Sequence, residues 1–388
     1  MKPIVSLLMI VLVASTLMVP LVQAATPHEL AKDAAILAGI AYLNTLQAPD
    51  GSLGEDWEVG ITSLYLIACL EAGIPKADAN VQAALAYILS KVNPSGYIAN
   101  TGERSYETST AIMALAAYDD PAYSSIINAA ADYVLTCQYT DGSFGYYPGD
   151  SGDLSNSQYA VLGLIAAEQT GWSPPSMQVY DDLATWVASE QNPDGGYGCY
   201  QTASSGAGTS SALICLALCG VPIGDPAVQG GLTWLHDNWD YTDNPGYDWL
   251  DASYYYYYGV TKALAFYGIT NEVGGVMDPT TAANPGLPED QGWYFDLCEH
   301  LIVTQLPSGD WPPDPGGAYY HHTVEIIFAV LVLERAIIVP PQPPVVGGSI
   351  LSVNPLQSLA PYLLALVLAV VGASGFLYKK RVRYAISR

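Results

Sequence analysis

A short turn recurs six times along this chain at a spacing of about 50 residues, and that period limits the fold more than any other feature. The turns read Gln47-Ala48-Pro49-Asp50-Gly51, Asn93-Pro94-Ser95-Gly96, Gln138-Tyr139-Thr140-Asp141-Gly142, Gln191-Asn192-Pro193-Asp194-Gly195, Asp243-Asn244-Pro245-Gly246 and Gln305-Leu306-Pro307-Ser308-Gly309. Pro or a polar residue followed by Asp/Ser-Gly suits a tight turn whose glycine takes positive φ. An amphipathic stretch precedes each turn (28–46, 78–91, 121–137, 175–190, 226–238 and 289–305). A more uniformly apolar stretch, rich in Ala, Ser and Leu, follows each one (60–72, 107–118, 154–169, 208–219, 252–267 and 321–336). A helix apolar all round is a buried helix. Twelve helices alternating exposed and buried therefore fit two concentric barrels, an all-α (α/α)6 toroid. An open solenoid has the same period, but it has no reason to stop at six and needs polar capping repeats. Thr26-Pro27-His28-Glu29 fits a capping box, and Asp120-Pro121 and Asp225-Pro226 place a cap before a first-turn proline.

The two ends read differently. Lys2 precedes the apolar run Ile4 to Val22, and Val22-Gln23-Ala24 offers small residues to a signal peptidase, so residues 1–24 are expected to be a signal peptide; an uncleaved anchor is the alternative. Ser358 to Tyr378 is 21 residues without a charge, enough to cross about 30 Å of hydrocarbon. Lys379, Lys380, Arg381, Arg383 and Arg388 follow, which assigns residues 379–388 to the cytoplasm and the body to the outside of a single-pass cell-membrane protein. Residues 339–357, opening Val339-Pro340-Pro341-Gln342-Pro343-Pro344, are expected to form a semi-rigid stalk. The exported domain is thus residues 26–338.

Residues 26–355 hold all 37 acids and only six bases, Lys32, Lys76, Lys91, Arg104, Lys262 and Arg335, a formal charge of −31. Nucleic acid is excluded as a partner, because phosphate binding needs clustered Lys and Arg. Six cysteines lie in the exported body, where disulfides are permitted, but Cys69, Cys215 and Cys219 fall in apolar helical runs that suit buried thiols equally well.

The turn signature, Gln-x-x-(Asp/Ser)-Gly with an aromatic close behind, as in Gly142-Ser143-Phe144, Gly196-Tyr197 and Gly309-Asp310-Trp311, resembles the repeat of the prenyltransferases and squalene cyclases. The resemblance covers residues 28 to 336 and implies the toroid fold; fold alone does not fix function. The cyclases protonate their substrate with Asp-x-Asp-Asp at the start of an inner helix. The matching positions here are Asp153-Leu154-Ser155-Asn156, so Ser155 stands where that resemblance puts the proton donor, and Asp153 reads as a helix N-cap. The protein prenyltransferases hold zinc with Asp and Cys two apart and a His before Thr. Asp251 and His322 match, but Ser253 replaces the cysteine, leaving a zinc reading on Asp251, His322 and His321. Asp296-Leu297-Cys298 has the same spacing on an outer helix. An isoprenyl diphosphate needs clustered cations, and only Lys262 and Arg335 lie on inner helices, which argues against prenyl transfer.

Tyr254 to Tyr258 open the fifth inner helix, with Tyr65, Tyr106, Tyr159, Tyr319, Tyr320 and Phe328 near other inner helices. Successive helical residues point about 100° apart, so two or three of the five can face one side and the rest pack. The expected ligand-binding residues are Tyr254, Tyr255, Tyr258, Tyr320, His321, Glu107 and Asp153, and the catalytic candidates are Asp251, His322 and Glu325. Glu58, Glu107, Asp153, Asp251 and Glu325 could gather at one mouth, as a glycosidase pair about 5 to 9.5 Å apart requires, but carboxylates at helix starts also cap and balance the dipole. No cofactor is assigned; zinc, and calcium at Asp237, Asp240 and Asp243, are the metals the residues raise. The sequence favours a membrane-anchored surface toroid that binds an apolar, glycan or protein ligand without group transfer. A divergent cyclase- or transferase-like enzyme is the alternative, and a structural surface-layer role the third reading.

Overall fold

Five of the six turn glycines, Gly51, Gly96, Gly142, Gly195 and Gly309, have φ between +89° and +101°, and Gly246 has +81°. The chain can reverse there only because no Cβ is present. The computed structural model describes residues 27–199, 203–246, 252–269, 292–314 and 322–335. Thr26, Asp251, Tyr320, His321, the leader 1–24, the stalk 339–357, the span 358–378 and the tail 379–388 lie outside the described residues. Among the described residues no helix is long and apolar enough to cross a membrane.

Twelve α-helices form among the described residues: α1 Pro27–Leu46, α2 Glu58–Glu71, α3 Ala79–Ser90, α4 Arg104–Tyr118, α5 Ser124–Thr136, α6 Leu154–Gln169, α7 Gln178–Ser189, α8 Gly206–Leu218, α9 Pro226–Asp237, α10 Ser253–Phe266, α11 Trp293–Thr304 and α12 His322–Leu333. No strand forms among them, only the isolated bridges Val92–Ile98 and Gln138–Phe144. The even-numbered helices contact one another in the order α2, α4, α6, α8, α10, α12, and α12 returns to α2. That last contact makes the inner set a closed ring, which an open solenoid lacks. The odd-numbered helices form the outer layer, with α11 touching α1 across the seam.

The sequence pattern explains the two layers. Nearly every residue of α6 and α8 is buried, whereas α7 buries Val179, Tyr180, Leu183, Trp186 and Val187 on one face. Inner helices approach closely through small residues: a Cβ added at Gly163 on α6 would lie 2.8 Å from the Ser109 Cα on α4, and one at Gly259 on α10 would lie 2.4 Å from the Ser210 Oγ on α8. Caps set the starts. Asp78, Asp153, Ser205 and Asp225 each accept a hydrogen bond from a first-turn amide. Asp120 also caps, but of the 3-10 turn Pro121–Tyr123 that precedes α5.

The turn glutamines hold adjacent repeats together. Gln47 Nε2 donates to the Gly51 carbonyl and to that of Asn80 on α3, both at 3.0 Å. Gln138 bonds Gly142 and Val179, Gln191 bonds Gly195 and Ala227, and Gln305 bonds Gly309 and Ala35. The last of these links the sixth repeat to the first. Two residues past the glycine, or one past a Gly-Gly pair, an apolar side chain enters the core: Leu53, Ile98, Phe144, Tyr197 and Trp311 are all buried. Four of their amides are held by hydroxyls of the inner helix, those of Thr62, Thr108, Ser157 and Thr209, at 2.9–3.0 Å. All six cysteines are free thiols, none joined to another.

Candidate functional site

A cavity of about 120 Å³ is lined by residues at and near the N-terminal ends of α2, α4, α6, α10 and α12. Its wall is aromatic and aliphatic: Trp57, Tyr106, Tyr146, Tyr159, Tyr255 and Phe328 with Ile61 and Val324. Its polar lining is Glu103, Ser155 and Asn156. Pockets of this kind, mostly apolar with a few placed polar groups, are where small ligands bind.

Each wall residue is positioned by packing that the repeat supplies. Gly60 allows Tyr106 to lie against α2, since a Cβ there would stand 2.6 Å from the Tyr106 ring. Tyr106 meets Tyr159 edge-on at 4.9 Å between centroids. The Tyr255 hydroxyl accepts from Gln158 Nε2 at 2.6 Å and lies 3.3 Å from Ser211 Oγ, which fixes its ring across the axis. Tyr258 stacks between Tyr159 and Phe328, with centroids at 6.3 and 4.8 Å, and forms the layer behind that wall. Trp57, the residue before α2, has φ +51°, a left-handed conformation rare for a bulky side chain.

The tyrosine run divides as helical geometry requires. All five rings are buried, but among them only Tyr255 lines the cavity. Tyr254 donates to the Pro312 carbonyl at 2.8 Å, Tyr256 packs on Trp239, and Tyr257 packs on His300. Tyr65 is a core residue whose hydroxyl donates to Asn44 at 2.5 Å.

Of the carboxylates that could gather at one mouth, Glu58, Glu107, Asp153 and Glu325 each have hydrogen-bond partners of their own, and Asp251 lies outside the described residues. Glu107 faces the interval between α2 and the loop before α4, where it accepts from the amides of Val59, Asn100 and Thr101 and from the Thr101 hydroxyl. Burial nevertheless holds its pKa above the usual carboxylate value. Glu58 is bonded by Asn100 Nδ2. Asp153 caps α6, accepting from Asn156 N at 2.8 Å and from Ser155 Oγ at 2.7 Å, and burial raises its pKa. Ser155 and Asn156 therefore line the cavity with Asp153 immediately behind. Asn156 Nδ2 gives both hydrogens to the Phe144 and Gly145 carbonyls at 2.8 Å, so its Oδ1 is oriented as an acceptor; that oxygen is buried without a donor.

His322 and Glu325 belong to a second cluster, at the start of α12. His322 Nδ1 lies 3.3 Å from Glu325 and Nε2 lies 3.3 Å from Asp310; hydrogen bonding to Glu325, ahead of that to Asp310, raises the imidazole pKa. Asp314 accepts from Ser253 N at 2.9 Å, and burial, followed by the Glu325 charge, pushes its carboxyl up to about 7. Both ring nitrogens of His322 thus face carboxylates, and Ser253 offers a neutral hydroxyl where the resemblance implies a thiolate. Asp251 and His321, the other two residues of the zinc reading, lie outside the described residues. Asp237, Asp240 and Asp243 each bond a neighbour instead of facing a shared point: His236 for the first, Thr242 for the second, and Asn244 and Ser253 for the third. Among the described residues no three His, Cys, Asp or Glu side chains are grouped to hold a metal. Asp296 and Cys298 are buried on the outer helix α11, as the repeat pattern predicts. Sequence reasoning missed Glu103, Trp57, Tyr146, Asp310 and Asp314. Only Asp310, inside the turn signature, carried a signal that could have flagged it.

Residues 100–244 match the prenyltransferase alpha-alpha toroid domain, a stretch containing Glu103, Tyr106, Tyr146, Ser155, Asn156 and Tyr159. The drimenyl diphosphate synthase of Streptantibioticus cattleyicolor is 28% identical over 178 residues, covering 42% of this chain and 32% of that protein. The chain thus spans about a third of that relative's length. Among solved structures, a variant of the type II terpene cyclase MstE from Scytonema superposes with TM-score 0.50 at 13% identity, covering 80% of this chain and 97% of that one. Candida albicans protein geranylgeranyltransferase-I superposes with TM-score 0.51 at 15% identity, covering 77% and 90%. At such identities these structures speak for the fold alone. Turn, clamp and closed inner ring agree with the match of residues 100–244 to the prenyltransferase alpha-alpha toroid domain.

Proposed function

We propose that this protein is a divergent terpenoid-cyclase-like enzyme that folds an apolar chain against the aromatic wall of its central cavity. The observation that carries this reading is the cavity itself, with six aromatic rings, four of them tyrosines, facing a space whose other polar side chains are Glu103, Ser155 and Asn156. Aromatic faces stabilise cationic centres in a dry site. The sequence by itself favoured binding without catalysis. The family match across the cavity wall and a relative named as a synthase support the enzymatic alternative instead.

In this proposal the proton-bearing Asp153 carboxyl donates to Ser155 Oγ while Ser155 gives its own hydrogen to the substrate oxygen, the reverse of the hydrogen bond the carboxylate accepts. The protonated oxygen departs as water, or as the hydroxyl of an opened epoxide, and the resulting cation returns a proton to Asp153 by the same path. Burial favours the proton-bearing carboxyl, and Ser155 Oγ, 2.7 Å away, stands at the cavity surface. An acid of raised pKa is too weak for an isolated alkene. It suits an oxygen that can leave once protonated, such as that of an epoxide or an allylic alcohol. Asp153→Asn should therefore abolish conversion of a C15 or C20 allylic alcohol while leaving its binding within about threefold, as followed by chromatography of extracted products and by equilibrium dialysis. Full conversion by the variant would sink this assignment. Ser155, at the position where the cyclases carry their acid, favours a second reading in which the chain is bound and released unchanged. Recovery of unaltered ligand from wild-type protein is its signature.

We also propose, on the sequence alone, that residues 358–378 anchor the body outside the membrane. Full-length protein should sediment with membranes after carbonate extraction and a chain ending at residue 338 should not. Equal release of both forms would refute the anchor.

A further inference from the structure

We infer that the cavity takes an apolar chain ending in a hydrogen-bond donor without negative charge, an alcohol or an amine, and that it rejects diphosphate-headed chains. This rests on the terpenoid reading of the cavity and names the class of ligand that reading leaves open.

The positions of the cations are the first ground. Between residues 26 and 355 the chain has six bases, and none lines the cavity. Each lies against an aromatic ring elsewhere: Lys32 over Tyr294, Lys76 over Tyr118, Lys91 over Tyr87, Arg104 over Tyr97, Lys262 over Tyr258, and Arg335 over Trp293 and Tyr294. Arg104 is next to the lining residue Glu103 in sequence, but its guanidinium lies over Tyr97. Lys262 is buried behind the Tyr258 ring, which itself stacks against Tyr159 and Phe328. A diphosphate is held by clustered Lys and Arg or by metal ions. This cavity instead has Glu103 in its lining, with Glu55, Asp56 and Glu58 flanking Trp57 in sequence.

The second ground is Asn156. Both of its amide hydrogens are committed to the Phe144 and Gly145 carbonyls, and its Oδ1 is a buried acceptor with no donor. A buried acceptor left without a donor is costly, and an incoming O–H or N–H removes that cost. A diphosphate presents acceptors only. The N-terminus of α6, which could otherwise attract an anion, already has Asp153 as its cap.

The test is a matched panel of C15 chains dialysed against purified full-length protein below their aggregation limits: farnesol, farnesylamine, farnesyl methyl ether and farnesyl diphosphate. Farnesol and farnesylamine should bind at least tenfold more tightly than the diphosphate, and the methyl ether, which lacks the donor, about tenfold more weakly than farnesol. Glu103→Lys, a reversal at a side chain that makes no cap bond to α4, should narrow the gap between diphosphate and alcohol by about tenfold. Diphosphate binding equal to or tighter than the alcohol overturns the inference and leaves the terpenoid reading standing. Equal binding of alcohol and ether removes the role of Asn156 and overturns it too. Failure of all four chains to bind overturns the terpenoid reading and this inference together.

Discussion

Gly309→Ala should destabilise the full chain by about 4 kcal/mol, while Gly73→Ala should cost about 1 kcal/mol. Both glycines have positive φ, +99° and +74°, so an alanine at either place carries a similar backbone strain. What separates them is the surroundings. A Cβ at Gly309 would lie 2.5 Å from the Ala38 carbonyl oxygen and 3.0 Å from its carbon, backbone atoms of α1, whereas nothing lies within 4 Å of one at Gly73. Relief requires the sixth turn to move away from the first outer helix. That movement stretches the Gln305 bonds to Ala35 and Gly309 and draws on the seam between α11 and α1. The difference between the two variants in urea unfolding therefore isolates the ring-closing contact from the φ strain. If the two substitutions cost the same, the turn contact contributes nothing beyond ordinary turn geometry, and closure rests on α12 against α1 and α2.

The same pair of glycines shows why so much of the fold was legible. A turn glycine, a glutamine four residues before it and an apolar residue just after it are local features, and their recurrence counted the repeats. Closure followed from the count, because six pairs return the last inner helix to the first. The lining of the cavity was less legible for a physical reason. Helical spacing sets which of Tyr254 to Tyr258 share a face, but not which face meets the axis; that depends on Gln158 and Ser211 from two other helices holding Tyr255. Trp57 gave no signal, since a left-handed φ at tryptophan is imposed by its surroundings and favoured by nothing in its own chemistry. Asp314 follows the sixth turn in a loop without periodicity, so its meeting with α10 had no pattern to announce it, whereas Asp310 stands inside the turn signature.

Glu103 and Glu107 are the sharpest case, being one helical turn apart at the start of α4. The sequence pointed to Glu107 as a ligand-facing acid, and the structure instead has Glu103 in the cavity wall and Glu107 out of it. Glu107→Ala should accordingly lower stability by about 3–4 kcal/mol, because three backbone amides and the Thr101 hydroxyl lose their acceptor in a place water does not reach. Glu107→Gln keeps one acceptor oxygen and the shape, and about 1–2 kcal/mol is expected. The pH dependence separates this staple from a surface acid. Burial raises the folded pKa of Glu107 above its ordinary 4.5. Its protonation thus adds stability that is fully present below about pH 4.5 and is lost as pH rises through the folded value. Replacing it with glutamine should flatten the fall in stability between pH 4 and 7, relative to wild type, in urea titrations at each pH. A solvent-facing carboxylate would give the opposite pattern, with an alanine variant of near wild-type stability and an unchanged pH slope. Because Glu107 ties the start of α2 to the 98–101 loop, its loss should also loosen the cavity wall that Trp57 and Tyr106 form. Binding of the C15 alcohol should fall with stability in Glu107→Ala and recover with it in Glu107→Gln, whereas a direct ligand contact would weaken binding in both while leaving the folding transition in place.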